Sequence, residues 1–379
     1  MSRLVDGLSS LKLTIACLTL LMVLVVACTL AQVNLGIHMA VERYIRSFLV
    51  WWAPEGSALR LPVFPGGGLV GGLLLINLLL AQFRRLELSW RKAGLWVVHI
   101  GLALLFIGEF ATAMLQVESN MAIDEGQTKS FSEDYRRMEV VVTDATAAEH
   151  DEEFAIPDSR MRSAREIEDP GLPFKLVVRA YHQNAALTMK GPGDAPSGAT
   201  AGIGAGMAVR PRPPVTADGE QNTAVAIVEP VLKDGRSLGV WLLSNALGAP
   251  QGFIHEGRSW KLALRLRQYR HPFSLTLKDF KHDRYPGTNI PKNFSSLVRL
   301  KDEAAGDDRD VLIYMNSPLR HGGLTFYQAS FGKDDTLSVL QVVRNPAWTL
   351  PYISCVLVSL GLLWHFGVML RKSLAARKE

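Results

Sequence analysis

Two histidines inside apolar stretches are the residues of this 379-residue chain whose type and position suggest chemistry. His99 lies in the run Lys92–Leu115, about 10 Å from its start if the run is helical. His365 lies in the run Thr349–Leu370, about 9 Å from the basic residues that follow it. Neutral imidazole binds haem iron axially, and a low dielectric favours the neutral form. The pair therefore predicts a haem site within a membrane, with His99 and His365 as candidate ligands at a similar depth.

The sequence alone is also consistent with a purely structural role for these two histidines. A lone histidine in a membrane helix can simply hydrogen-bond a neighbouring helix, and for His365 alone this is the favoured interpretation. The other histidines lie outside the apolar runs and show no HxxxH or HExxH spacing, so no further metal site is predicted. The chain also lacks CxxC, CxxCH, GxSxG and phosphate-binding glycine motifs, which excludes thiol exchangers and c-type cytochromes and offers no hydrolase or nucleotide chemistry.

The elements that must position the histidines are four apolar runs, each long enough to cross a membrane as a helix. They are Leu11–Ala31, Val63–Phe83, Lys92–Leu115 and Thr349–Leu370. The first could be taken for a cleaved signal peptide, but it is long for a signal core. Basic residues cluster in the loop Arg84–Lys92 and after the last run, which predicts that both termini and this loop are cytoplasmic. The net charge of +5 is therefore attributed to residues that orient the chain in the membrane, with lipids as a partner. It does not indicate nucleic-acid binding.

Three further features are predicted within the N-terminal membrane region, residues 1–115. The stretch Asn34–Trp52 has apolar residues at helical spacing and ends in two tryptophans, which is typical of an interfacial amphipathic helix. Asn77 is predicted to make an interhelical hydrogen bond. Gly94, Gly101 and Gly108 recur every seven residues and predict close approach of a neighbouring helix. His99 lies about 200° around the helix from Gly101 and should face away from that neighbour.

Residues 116–348 are polar and rich in predicted strands, and they are expected to form an antiparallel sheet or sandwich outside the cytoplasm. The candidate strands are Arg137–Thr143, Phe174–Tyr181, Ala224–Val231, Leu238–Leu243, Trp260–Tyr269, Phe273–Phe280, Ser296–Leu300, Val311–Met315, Leu324–Ser330 and Thr336–Val343. Two stretches, Ala145–Pro170 and Gly191–Glu220, are predicted to be mobile insertions. Residues 349–379 form the last membrane helix and a basic tail. The predicted fold class is thus an integral membrane protein of four transmembrane α-helices with a large β-rich domain.

Short motifs in the last third of the β-rich region resemble ResB, the membrane component of the System II pathway of cytochrome c biogenesis. The motifs are Lys278-Asp279-Phe280, Tyr285-Pro286-Gly287, Pro291-Lys292-Asn293-Phe294-Ser295-Ser296, Met315-Asn316-Ser317-Pro318-Leu319 and Phe326-Tyr327-Gln328-Ala329-Ser330. Thr29-Leu30-Ala31-Gln32 is similar to the Thr-x-x-Gln ending of the family's first helix. The order of three helices, a large domain and a fourth helix also resembles ResB, whereas Ala145–Gly235 resembles it only weakly.

The resemblance implies a role in the bacterial inner membrane together with a partner called ResC or CcsA. In that family the two proteins carry haem outward, keep it reduced and present it to the CxxCH motifs of apocytochrome c, whose cysteines depend on thiol-reducing assembly factors. A histidine in the family's third helix is a transmembrane ligand of haem b, and it maps onto His99. The opposing ligand is then expected on the partner, which leaves His365 a supporting role near the site.

Two other classes of function remain open from the residues. A membrane b-type cytochrome that oxidises quinol would need two pairs of transmembrane histidines for two stacked haems, and the chain offers one pair. A scaffold or sensor would use the β-rich domain without any haem. No activated thiol or acid–base pair is visible, so no catalytic residue is predicted and the chain is expected to be a non-catalytic or co-catalytic subunit of a haem lyase complex.

Overall fold

The computed structural model describes residues 2–53, 59–87, 89–147, 150–216, 220–288, 290–332 and 335–377. The chain divides into two compact units. One contains Met1–Val117 and Arg344–Glu379, and it is built mainly from helices. The other contains Glu118–Val215 and Gly219–Val343, and it is built mainly from strands.

Four of the helices are long and apolar enough to cross a membrane, namely α2, α3, α4 and α6. The helices are α1 Ser2–Leu8, α2 Leu11–Ala40, α3 Gly67–Arg85, α4 Ala93–Leu115, α5 Asp158–Ser163 and α6 Leu350–Ala376. Together with the large antiparallel β-rich unit, they give the four-helix and sheet architecture that the sequence predicts.

The interfacial helix predicted over Asn34–Trp52 is wrong in its second half. Helix α2 continues past residue 31 to Ala40, interrupted at Gly36 with a φ of 72°, and a π-helical turn follows at Val41–Arg46. The chain then turns into a β-hairpin of strands β1 Leu49–Trp52 and β2 Leu61–Pro65. The backbone N–H of Gly66 closes this hairpin by donating to the carbonyl of Phe48 at 2.8 Å. Cross-strand pairing therefore replaces the helix, and α3 begins after Pro65 instead of at Val63.

The glycine stripe of α4 packs directly on α6, which confirms the predicted close approach. An added Cβ at Gly94 would lie 2.6 Å from the carbonyl oxygen of Gly361, and one at Gly101 would lie 3.0 Å from the carbonyl oxygen of Ser354. At Gly108 it would lie 2.9 Å from the Cβ of Leu350. The two backbones thus touch along most of the length of α4, at a distance that only glycine permits.

The β-rich unit is antiparallel in every described pair of its named strands. An extended sheet has the order β15-β14-β13-β4-β3-β18-β17-β16, with β5 on β4 and β12 on β13, and a second sheet has the order β11-β10-β7-β6. Strands β8 and β9 form a hairpin. The bounds are β3 Val117–Asp124, β4 Thr128–Asp144, β5 Glu152–Pro157, β6 Glu166–Ile167, β7 Phe174–His182, β8 Ala185–Met189, β9 Met207–Pro211, β10 Val225–Leu232, β11 Trp241–Ser244, β12 Gln251–His255, β13 Arg258–Arg284, β14 Pro291–Asp302, β15 Asp307–Tyr314, β16 Leu319–His321, β17 Leu324–Gly332 and β18 Leu337–Arg344.

Strand β13 is 27 residues long and connects two hydrophobic cores. The sequence predicts two strands here, separated near Pro272, but the strand continues because the irregularity is absorbed as a register shift between Arg270 and Leu275 in its pairing with β4. Trp260, near its start, is fully buried in the core shared with the second sheet. Leu275, near its end, is fully buried in a core shared with β3, β14, β17 and β18.

Both stretches predicted as mobile insertions contain packed elements. In Ala145–Pro170, strand β5 pairs with β4, and Ile156 and Met161 are buried in the first core. In Gly191–Glu220, the hydroxyl of Ser197 donates to the carbonyl of Gly204 at 2.7 Å, and β9 completes a hairpin with β8. Charge and glycine content suggested loops, but tertiary contacts order these segments; residues 148–149 and 217–219 lie outside the described residues.

A half-buried histidine that contacts the second core should make the stability of the β-rich unit depend on pH. The Nε2 atom of His271 lies 3.0 Å from the hydroxyl oxygen of Ser132, and the ring of His271 stacks on that of Phe273. Burial lowers the pKa of His271 below its ordinary 6.5. Because the unfolded chain then binds the proton more readily, stability is complete above about pH 6.5 and falls as the pH drops below it. We expect the urea midpoint of the intact protein in detergent to fall between pH 7.5 and 5.5.

The matched variant His271→Gln isolates this contribution. It keeps a polar group beside Ser132 but removes the titration, so its midpoint should fall less over the same pH interval than that of the wild type. An identical fall in both proteins would show that other groups cause the acid sensitivity.

Candidate functional site

A hydrogen bond to its own helix orients the ring of His99. Its Nδ1 atom lies 2.7 Å from the backbone carbonyl oxygen of Leu95, one turn earlier in α4. A carbonyl oxygen only accepts, so Nδ1 carries a proton, and in the neutral form of the ring the lone pair is then on Nε2. The residue is half-buried, and no partner for Nε2 lies among the described residues. A neutral imidazole fixed through Nδ1–H in this way is the form that binds a metal through Nε2.

His99 lines an apolar cavity of about 400 Å³ within the helical unit. This volume lies in the range of about 300–1,000 Å³ that is usual for small-molecule sites. The lining residues are Ser9, Leu11, Thr14, Leu18, Leu74, Asn77, Leu78, Ala81, Gln82, Leu86, His99, Leu102 and Phe106. They come from α2, α3 and α4 and from the residues directly beside the ends of these helices, so three helices bring His99 to the cavity.

Asn77 makes the predicted interhelical hydrogen bond, so that prediction is confirmed. Its Nδ2 atom donates to the carbonyl oxygens of Leu8 at 2.6 Å and Ser10 at 3.1 Å, and its Oδ1 atom accepts from the hydroxyl of Thr14 at 2.6 Å. Ser10 also caps α2, since its side chain accepts from the N–H of Leu13. Both ends of the Asn77 amide are therefore occupied, and the residue ties α3 to the start of α2.

Gln82 is a second amide in the same cavity, and the sequence interpretation missed it. Its Nε2 atom lies 3.5 Å from the backbone carbonyl oxygen of Trp96 on α4. The side chain is buried, with 6% of the residue exposed, and its Oε1 atom has no hydrogen-bond partner. The position of Gln82 close to the end of an apolar run is a signal that could have been used, because a buried amide there requires partners.

His365 packs on a different face of α4 from His99. An added Cβ at Gly94 would lie 2.7 Å from the backbone nitrogen of His365. Gly94 precedes His99 by five residues, which places it about 140° around α4 and about 7 Å closer to its start. The backbone of His365 therefore lies beside an earlier part of α4 than the backbone of His99. His365 is absent from the cavity lining, and its buried Nδ1 atom has no hydrogen-bond partner.

Among the described residues, no group of three His, Cys, Asp or Glu side chains converges as a metal centre would require. Three histidines of the β-rich unit serve instead as cross-strand contacts. His282 lies 2.8 Å from the carboxylate of Asp335, and His321 lies 2.7 Å from that of Asp302. His271 contacts Ser132, as described above. His99 is thus the described histidine that combines a free ring nitrogen with a cavity.

Comparison with known proteins supports the resemblance seen in the sequence. Residues 250–339 match the model of the ResB-like family, and this range holds the five motifs between Lys278 and Ser330. Protein NrfI of Wolinella succinogenes is 37% identical to the chain over 94 residues. That match covers 25% of this chain and 10% of NrfI, so the chain spans about a tenth of the relative. The helical unit lies outside the matched range of the family.

The solved structures add no argument about the fold. The cytochrome c haem lyase CcmF aligns with 91% of this chain and 34% of its own length, at 11% identity and a TM-score of 0.22. The complex of MucB with the periplasmic part of MucA aligns with 68% of this chain, at 12% identity and a TM-score of 0.11. Both scores are too low to indicate a shared fold.

Proposed function

We propose that this chain, a ResB-like cytochrome c biogenesis protein by its residues 250–339, is the haem-carrying subunit of a System II assembly complex. In this role it helps to move haem b outward through the bacterial cytoplasmic membrane and to deliver it for covalent attachment to apocytochrome c. The observation that carries the proposal is His99, whose Nδ1 atom bonds its own helix while the residue lines an apolar cavity between three helices.

The residues of the cavity fit haem b. The His99 Nε2 atom would coordinate the iron, and the hydrogen bond from Nδ1 to the carbonyl oxygen of Leu95 would keep the ring in the required tautomer. Leu18, Leu74 and Phe106 offer apolar surface to the porphyrin. When bound, haem b supplies the vinyl groups that form thioether bonds with the two cysteines of a CxxCH motif. The hydrogen bond to Leu95, the apolar lining residues and the free Nε2 atom would bind haem without reacting with it. The cavity is therefore proposed as a binding site and not as a catalytic site.

The second axial ligand is assigned to a partner of the ResC or CcsA type. No second histidine lines the cavity among the described residues, and His365 lies on another face of α4. A complete bis-histidine site therefore requires a residue from outside this chain. Transient binding follows from this arrangement, because haem held between two proteins is released when they move apart.

The charge pattern supports an orientation for this path. The loop Arg84–Lys92 and the residues after Thr349–Leu370 are basic, and such residues mark the cytoplasmic side. The β-rich unit is then extracytoplasmic, where apocytochrome c is kept reduced by thiol-reducing factors. Its sheet is proposed to dock the partner and to position the apocytochrome. The bond-forming chemistry belongs to the complex, since no activated thiol or acid–base pair of this chain is assigned to it.

Absorption spectra of the purified membrane complex test this function against the two alternatives. The chain is purified alone and together with its ResC-type partner from the same membranes. Haem delivery predicts a haem b spectrum that is retained mainly when the partner is present. A scaffold or sensor would show no haem in either sample, and a b-type cytochrome would show haem in the chain alone that quinol reduces rapidly.

A further inference from the structure

Gln82 lines the cavity that contains His99, and its carboxamide has an unused acceptor. Its Oε1 atom is buried without a hydrogen-bond partner, and its Nε2 atom has one long contact of 3.5 Å to the carbonyl of Trp96. An unsatisfied buried acceptor is destabilising, so a ligand that supplies a donor to it gains free energy on binding. Asn77, the other amide of the cavity, has all of its described bonds within the protein and offers no such gain.

The chemistry of the cavity selects the kind of donor. A primary amide carries an acceptor and a donor on one edge, and a neutral carboxylic acid carries the complementary pair. The described lining residues include no lysine or arginine, so an ionised carboxylate would be buried without a cation. An apolar surrounding favours the neutral acid over its anion. The hydrogen-bonding edge of the Gln82 amide and the absence of a lysine or arginine among the described lining residues therefore both favour a neutral carboxylic acid as the ligand group.

We propose that Gln82 is a subsite for one neutral carboxylic acid group of the ligand that His99 holds. This inference rests on the proposed haem-carrying function and deepens it, because haem b has two propionic acid side chains. Gln82 accepts a hydrogen bond from the acid O–H and donates one to the acid carbonyl, while His99 holds the iron. The subsite selects porphyrins with free acid groups and takes them up in an uncharged form suited to passage through a membrane.

The test compares haem with its dimethyl ester, which keeps the iron and the porphyrin but has no acid proton. Both are titrated into the haem-depleted complex of the wild type and of Gln82→Leu, and the absorption change on ligation gives the dissociation constant. We expect Gln82→Leu to weaken binding of haem about tenfold or more, as for one or two neutral hydrogen bonds. Binding of the ester should weaken less than that of haem, because the ester has no O–H to donate to Oε1 and can lose only the bond that its carbonyl accepts from Nε2.

Thr19→Val is the matched control, since its exposed hydroxyl bonds only the carbonyl of Ile15 on the same helix and lies outside the cavity. It should leave both affinities unchanged. Equal weakening of haem and ester by Gln82→Leu, or no weakening of either, would overturn the subsite while leaving the proposed function in place. A wild-type complex that binds neither ligand would overturn the proposed function and the subsite together.

Discussion

Replacing His99 with alanine should remove nearly all haem b absorption from the complex purified with its partner. The substitution deletes the Nε2 atom that the structure leaves free for iron, and no other histidine of the described chain lines the same cavity. The fold should survive, because the hydrogen bond of His99 is made to Leu95 on its own helix and ties no two helices together. The measurement is the ratio of haem absorbance to protein in the intact complex, confirmed by size-exclusion chromatography.

His365→Ala is the control for a histidine of the same helical unit. His365 lies against Gly94 on another face of α4, so its loss should leave most of the haem in place. If His99→Ala retained the full spectrum, His99 would not be the ligand, and the haem of the complex would have to be held by the partner or by His365. If His365→Ala removed the haem as completely as His99→Ala, the separation of the two residues on α4 would not reflect the haem-bound state.

The direction in which His99 faces could be predicted from the sequence, whereas its surroundings could not. A step of about 100° per residue separates His99 from the stripe of Gly94, Gly101 and Gly108, and this periodicity needs no tertiary information. The structure indeed places α6 on the stripe and a cavity at His99. The state of Gln82 depends instead on the carbonyl of Trp96 in another helix, so no local pattern reveals its unpaired oxygen.

The same distinction between local and tertiary information explains where the predicted secondary structure differs from the observed fold. Apolar runs long enough to cross a membrane identify their helices, but the continuous strand β13 passes Pro272 because β4 and β14 pair with it on both sides. The charged composition of Ala145–Pro170 led to the prediction of a mobile insertion, and Glu153 is one of its charged residues. In the structure its carboxylate bonds Arg265 at 2.8 Å and Arg270 at 2.7 Å, and Arg265, Arg270 and their hydrogen bonds lower the pKa of Glu153. These partners are more than 100 residues away in sequence, so composition alone could not indicate them.

Replacing Gly361 with valine should separate α4 from α6 and destabilise the helical unit. A Cβ at Gly361 would lie 2.7 Å from the carbonyl oxygen of Gly94 and 2.8 Å from the backbone nitrogen of Val98. These are backbone atoms that cannot rotate away, so the helices must move apart. We expect a loss of about 3 kcal/mol or more, at or above the usual cost of overpacking. The measurement is the fraction of protein that stays monodisperse in detergent after heating.

Gly367→Val provides the control on the same helix, because no atom lies within 4 Å of the position where its Cβ would be. Both variants change the helix propensity of α6 equally, so a difference between them reports the contact with α4 alone. Because α4 also carries His99, the movement forced by Gly361→Val should lower the haem content of the complex, whereas Gly367→Val should leave it unchanged. Equal stability of the two variants would contradict the close packing of α4 on α6. Destabilisation by Gly361→Val with full haem content would mean that the site at His99 is held by α2 and α3 independently of α6.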